Sequence, residues 1–286
     1  MKDLRLGIMW RWLVGGVLCI GAAMSSSAAA EEYPVRPIKL IVPFAPGGLN
    51  DSVGRVLATH LSNRLGQTVV VENRAGAGGQ IGIALTVKQP ADGYTLVLGS
   101  VDSLAMGPAL KKKMPYDPMN DLTAVAMVAN SPLIVVTSAR FPVKTVNELV
   151  ERAKAHPGTI SYGSAGVGTS LHLGVELLQN DTGTKMLHVP YQGGAPILQA
   201  LISNQIDFAL ISPELAQRYM SSGQIKVVAQ ADTKRHPLLP NVPTAEEQGM
   251  KDMVLTPWLG VLGPAKLPVQ IVERLDRAIS EIARDE

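Results

Sequence analysis

Beyond the first thirty residues, short apolar runs alternate with longer stretches in which apolar residues recur at three- and four-residue spacing. Glycine or proline separates the two kinds. The first case is KLIVPFAPGGLND, residues 39–51. Its β-branched run predicts a strand, Pro-Phe-Ala-Pro-Gly-Gly a turn, and Ser52 to Leu65 a helix, with Val53, Val56, Leu57, Leu61 and Leu65 near helical spacing. Asp51 precedes that helix as a candidate N-cap. Strands are then expected over 68–72, 94–99, 124–129 and 133–137, and a helix over 80–88 after the glycine-rich turn 75–79.

The next unit has the clearest start and stop signals. Thr145 and Glu148 make a capping-box pattern before a helix over 146–155, and Pro157-Gly158 ends it. Strand, glycine loop and helix then recur: strand 159–162, loop GSAGVGTS (163–170) and helix 171–179; strand 186–191, loop Gln192-Gly193-Gly194 and helix 195–203. Strand 206–211, helix 213–221 and strand 225–229 complete the series. A short helix over 245–248, an apolar segment over 254–262 and an amphipathic helix over 267–284 close the chain. Such alternation predicts an α/β protein with parallel sheets covered on both faces, and ligands at the C-terminal ends of the strands. Segments near Ser131 and Met253 look like two crossings between an early and a middle block, which would make a hinge and a cleft.

Composition changes this picture at the N-terminus. Lys2, Arg5 and Arg11 precede an apolar stretch, Trp12 to Met24, too short to span a bilayer, and Ala28-Ala29-Ala30 offers a cleavage site. Residues 1–30 are therefore expected to be a signal peptide, cleaved near Ala30, with a periplasmic destination. The single cysteine, Cys19, lies inside it, and Leu18 before it argues against a lipid anchor. Apart from Lys2, Asp3, Arg5 and Arg11, the 26 basic and 24 acidic residues leave 23 of each, hence no net charge with His neutral. That balance, with only the short Lys111-Lys112-Lys113 cluster, argues against nucleic acid as a partner. The remaining 256 residues could bury roughly three quarters of their unfolded surface, enough for two medium domains.

Catalytic signals are weak. Ser164 and Ser170 sit on glycine loops with His172 and His188 nearby, but Gly163-Ser164-Ala165-Gly166 lacks the spacing of an esterase elbow. GSAGVGTS has no lysine where a nucleotide-binding loop needs one. Gly76-Ala77-Gly78-Gly79-Gln80-Ile81 misses the last glycine of a dinucleotide fingerprint. The histidines are scattered and no pair has metal spacing on one helix. No cofactor and no metal are expected. What remains is anion binding by backbone: the loops at Gly47-Gly48, Gly166 to Thr169 and Gln192 to Gly194 each open a helix and offer unpaired N–H donors at a dipole's positive end. Thr169, Ser164 and Tyr191 could add hydroxyls, and Phe44 an apolar wall.

These loops also carry a family resemblance. The segments YPVRPIKLIVPFAPGG (33–48), LGQTVVVENRAGAGGQIG (65–82), ADGYTLVLGS (91–100), MPYDP (114–118), ISYGSAGVGTSLHL (160–173), HVPYQGGAP (188–196), LPNVPTAEEQG (239–249) and WLGVLGPAKLP (258–268) resemble the substrate-binding proteins of tripartite tricarboxylate transporters, the Bug or TctC family of periplasmic receptors. The resemblance implies a type II periplasmic-binding-protein fold: two doubly wound α/β domains joined by two crossing segments, with a ligand cleft between them. The first domain would be 31–131 plus 254–286, the second 132–253.

It implies, too, a non-catalytic, monomeric receptor that captures a small organic acid (a di- or tricarboxylate, an amino acid or an aromatic acid) and delivers it to a membrane permease. The loop holding Phe44, Pro46, Gly47, Gly48 and Asp51 would face the loop holding Ser164, Gly166, Gly168 and Thr169. Ser100, Tyr191, Gly193 and Asp207 would contribute to the same pocket. Leu49-Asn50 stands where many relatives have a small or hydroxyl residue. Relatives usually continue beyond Glu286, so the first domain is expected to be short at its C-terminus. Two alternatives are a small-ester or amide hydrolase using Ser164 and His172, and a ligand-sensing partner of a membrane signalling protein.

Overall fold

The computed structural model describes residues 33–110 and 113–285. The expected signal peptide, Cys19, the Ala30 cleavage site, and Lys111 and Lys112 lie outside the described residues. The chain divides between Val35 and Arg36, and everything below concerns the part from Arg36 onward.

Among the described residues, ten strands form two five-stranded sheets. The first sheet contains β1 (Ile38–Val42), β2 (Val69–Asn73), β3 (Thr95–Ser100), β4 (Leu122–Asn130) and β10 (Trp258–Pro264), in the order β2-β1-β3-β10-β4. The second contains β5 (Leu133–Ser138), β6 (Ser161–Ser164), β7 (Leu187–Pro190), β8 (Phe208–Ile211) and β9 (Ile225–Ala231), in the order β7-β6-β8-β5-β9. The helices are α1 (Leu49–Leu65), α2 (Gln80–Thr86), the short α3 (Gly107–Leu110), α4 (Val146–Ala155), α5 (Ser170–Thr182), α6 (Gly194–Ile202), α7 (Pro213–Ser221) and α8 (Val269–Asp285).

The sheets are mixed, not parallel throughout as the alternation predicted. β1 runs parallel to β2 and β3, and β6 parallel to β7 and β8, but β10 is antiparallel to β3 and β4, and β5 is antiparallel to β8 and β9. The reversed strands are the two that enter a sheet straight from the other one. The two connections run side by side: the Ser131 N–H donates to the Pro257 carbonyl and the Leu133 N–H to the Leu255 carbonyl, both at 2.9 Å.

Both faces of the second sheet are covered, as a doubly wound sheet requires. Along β5, Leu133 and Val135 pack with Leu149, Tyr162, Val175 and Phe208, while Ile134 and Val136 pack on the opposite face with Ile197, Leu201, Ile211 and Ala216. Fully burying each such aliphatic side chain contributes about 1.5–3 kcal/mol. In the first sheet, α1 lies close over β1: a Cβ on Gly54 would sit 2.7 Å from the Val42 Cγ2. Local signals place several ends. The Thr145 Oγ1 accepts from the Glu148 N–H at 3.1 Å, and Glu148 reaches back to the Lys144 N–H at 2.7 Å. Pro213 starts α7 behind the N-cap Ser212. Asp51 is not a cap. Helix α1 begins two residues before it, with Gly48 at the N-cap.

Candidate functional site

Four helices start at one cavity between the two sheets. Gly48, Leu49 and Asn50 come from the start of α1, Ser170 and Leu171 from α5, Gly193 and Gly194 from α6, and Ser212 from the N-cap of α7. Phe44, Ser100, Asp102 and Ala165 complete most of the polar and loop-derived wall, with Leu133, Pro257 and Leu259 from the connecting segments. The cavity is partly open to solvent. Each helix start brings a partial positive charge to the cavity, so the cavity favours an anion; at α5 the Ser170 N–H is already bonded to Asp102, and at α7 the Leu215 N–H to the Ser212 hydroxyl.

Side-chain polar atoms in the wall lack partners. Asn50 Nδ2, Ser100 Oγ and Ser170 Oγ are buried without a hydrogen bond; the Ser170 hydroxyl stands beside the Asp102 carboxylate without aligning on it. An unmade hydrogen bond at a buried polar group costs about 1–3 kcal/mol. Three in one cavity imply that something else completes them. Asp102 is the ionisable side chain of this wall. It sits at the end of β3, and its Oδ1 accepts the Ser170 N–H at 2.8 Å, bridging the two sheets' loops. Burial pushes its carboxyl above the usual carboxylate range, opposed in part by the Ser170 N–H and hydroxyl. The turn that carries it is braced from behind, where the Tyr116 hydroxyl donates to the Ser103 carbonyl at 2.6 Å. That contact gives Tyr116 of the MPYDP segment a structural role.

Each glycine loop also makes close contacts with a further loop. Loop 43–48 approaches loop 191–194: the Ala45 N–H donates to the Gln192 carbonyl at 3.1 Å, and a Cβ on Gly48 would lie 3.6 Å from the Gly194 nitrogen. Gly193 takes φ +143°, a conformation open to glycine. The 164–169 loop approaches the 76–79 turn, where a Cβ on Gly166 would lie 3.5 Å from the Gly78 nitrogen, and its Ala165 lines the cavity with Phe44 and Gly48. Thus Phe44, Gly48, Ser100 and Gly193 line the cavity, while Gly166 and Tyr191 line an adjoining opening that shares Phe44.

Other expected residues have structural duties. Asp51 is buried, and its carboxylate accepts from the Gly47 N–H (2.9 Å), Asn73 Nδ2 (2.8 Å) and Arg55 Nε (3.0 Å). Burial alone would raise its pKa, yet the Arg55, Gly47 and Asn73 contacts hold it below the usual range. It fixes the loop from behind. Pro46 and Gly47 are exposed at the loop's outer side. Thr169 is buried and donates its hydroxyl to the Gly166 carbonyl at 2.8 Å, and Gly168 lies under Leu110. Asp207 is a correction. It precedes β8 at the opposite end of the sheet, where it accepts the Ser161 N–H at 2.7 Å and the Ser161 hydroxyl at 2.8 Å. Parallel β6 and β8 put both strand starts together, far from the cavity at their C-terminal ends.

The Ser164 hydroxyl is hydrogen-bonded to His188 Nε2 at 2.6 Å, so its partner is His188 and not the expected His172. The pair resembles a nucleophile and base, but Ser164 is fully buried and its Oγ also accepts the Gly166 N–H at 3.1 Å. The His188 and His172 rings pack at a tilt of 52° with centroids 4.3 Å apart, and Tyr162 donates to Glu176 beside them. Burial, helped by His172, pushes the His188 imidazole below its ordinary value, and Glu176 opposes this. These groups secure the loop rather than a substrate. Asn50, Asp102, Ser170, Leu171 and Ser212 were missed as site residues. The available signal was position: Asp102 directly follows the C-terminal end of β3, where open α/β sheets bind ligands.

The chain is similar to known proteins over most of its length. The model of the tripartite tricarboxylate transporter family receptor matches residues 53–285. Protein BugT of Bordetella pertussis is 37% identical over 267 residues, 93% of this chain and 82% of that protein. A solved R. palustris protein with adipate is 32% identical at a TM-score of 0.84, covering 87% of this chain and 83% of that one. MatC from Rhodopseudomonas palustris with bound malate is 31% identical at a TM-score of 0.84, covering 89% and 86%.

Proposed function

The chain belongs to the tripartite tricarboxylate transporter receptor family, and from that premise we propose that its interlobe cavity captures a small organic carboxylate for delivery to a membrane permease. It is a solute-binding receptor of two α/β lobes, not an enzyme, and its family acts outside the cytoplasm. The observation that carries the ligand assignment is the convergence of four helix N-termini, with three unpaired buried side-chain donors, on one cavity. Relatives solved with adipate and malate support a carboxylate as the ligand. We place the lobes at 31–131 with 254–286 and at 132–253, and the mature protein, cleaved near Ala30, in the periplasm as a monomer. Of the residues named from sequence, Phe44, Gly48, Ser100 and Gly193 would touch ligand, and Asp51, Ser164 and Thr169 would hold the loops in place.

A thermal-shift screen tests the reading. Di- and tricarboxylates, amino acids and aromatic acids are added singly to the purified mature chain. A ligand at about 100 times its Kd adds about 2.7 kcal/mol of stability, so at least one compound should raise the melting temperature in a saturable way. Well-folded protein that stays unmoved by the whole panel refutes the assignment.

A further inference from the structure

Asp102 is unlike the rest of the cavity. Every other polar group in the wall is a donor or a neutral hydroxyl or amide, whereas Asp102 brings a carboxylate that is 7% exposed. Its interactions are the Ser170 N–H and the nearby Ser170 hydroxyl, and no charged side chain acts on it. A buried carboxylate without a cation is costly unless a partner arrives with the opposite charge. It also occupies the start of α5, so one of the four converging N-termini already has its anion. A ligand carboxylate is left with the starts of α1, α6 and α7 and with Asn50 and Ser100. A second ligand carboxylate placed near Asp102 would set two like charges in a space of low polarity.

We infer that the cavity takes a ligand carrying an amine cation as well as a carboxylate, and that Asp102 binds the amine. The carboxylate rests on the Asn50 and Ser100 donors and the free helix starts, and the ammonium pairs with Asp102. Asp102 is then the specificity-determining residue that selects an amino acid over the plain or hydroxy acid of the same skeleton. This rests on the receptor reading above and narrows its ligand class. Asp207, the other carboxylate expected at the pocket, lies at the opposite end of the sheet on Ser161, which leaves Asp102 as the acid in the wall.

Titration calorimetry at pH 7.5 on the mature chain tests it with matched acids: L-aspartate against L-malate and succinate, L-glutamate against glutarate, L-leucine against 4-methylpentanoate, and L-phenylalanine against 3-phenylpropanoate. In the wild type, at least one amino acid should bind at least tenfold more tightly than its partner lacking the amine. Asp102→Asn keeps an oxygen for the Ser170 N–H, and in it that preference should fall by at least tenfold. If acids bind but in no pair does the amino acid bind more tightly than its plain or hydroxy partner, the inference is overturned while the receptor reading stays intact. Retention of the full preference in Asp102→Asn does the same. The wild-type comparison needs no variant, so a poorly folded mutant cannot shield the claim. Silence of the wild type toward every pair overturns both the inference and the reading beneath it.

Discussion

Replacing Asp51 by alanine removes the acceptor that pins the 43–48 loop, and its cost can be worked from three contacts. A hydrogen bond to a charged acceptor is worth about 1.5–3 kcal/mol. The Arg55 side chain is 56% exposed and returns to water, so its contact counts at the surface level of about 0.5 kcal/mol. Asn73 Nδ2 keeps its second acceptor, the Phe44 carbonyl at 3.1 Å, and the Gly47 N–H lies in an exposed loop, so neither loses its full value. The expected loss is about 3 kcal/mol, a fall of about 6–12 °C in melting temperature at roughly 2–4 °C per kcal/mol for a chain of this size. Ligand affinity should fall with it, because Gly48 is carried by the same loop. The pH dependence has a definite sign. The folded carboxyl titrates below its ordinary value, so its contribution is complete above the unfolded pKa of about 3.9. It is lost as pH falls through the folded one. Urea unfolding of wild type and Asp51→Ala should therefore show a constant gap from pH 8 to 5 that closes below about pH 4. A gap under about 1 kcal/mol at pH 7, or one that widens on acidification, refutes the argument; Arg55→Ala, costing about 0.5 kcal/mol, is the control.

Two further outcomes follow from the same geometry. Ser100→Ala removes a buried hydroxyl that has no partner in the ligand-free protein, so unfolding should show no loss of stability, while calorimetry with any ligand found in the screen should show about tenfold weaker binding. The His188 imidazole titrates below its ordinary value, through burial and His172, with Glu176 opposing. The unfolded chain then binds its proton first, and wild-type stability should decline relative to His188→Gln as pH drops below about 6.5. A difference between the two that stays flat from pH 7.5 to 5 would remove that account.

Much of the fold was legible because local rules decide it. The helix over 146–155 and the helix over 213–221 were read with their observed ends, since a Thr-x-x-Glu box and a Ser-Pro start act within four residues. The turn carrying Asp102–Met106 was not legible, because its bracing comes from Tyr116, thirteen residues beyond Ser103. Within the site, Phe44, Gly48, Ser100 and Gly193 were found because a glycine loop after a strand marks a ligand-facing edge. Asn50 was noticed only as a departure from the family pattern. Asp207 was misplaced because an acid next to a strand gives no sign of which end of the sheet it occupies.

By itself the sequence determined the alternation of strands and helices, the caps, and the three glycine loops that expose helix N-termini. Those features depend on neighbours within a few residues, so a linear pattern encodes them. Tertiary structure alone decided that loop 43–48 is hydrogen-bonded to loop 191–194, that β5 and β10 run against their sheets, and that Asp102 stands in the cavity while Asp207 does not. Each of these depends on strand order and on which chain segments cross between the sheets. Contacts between residues far apart in the chain set that order, with no local residue pattern to announce it.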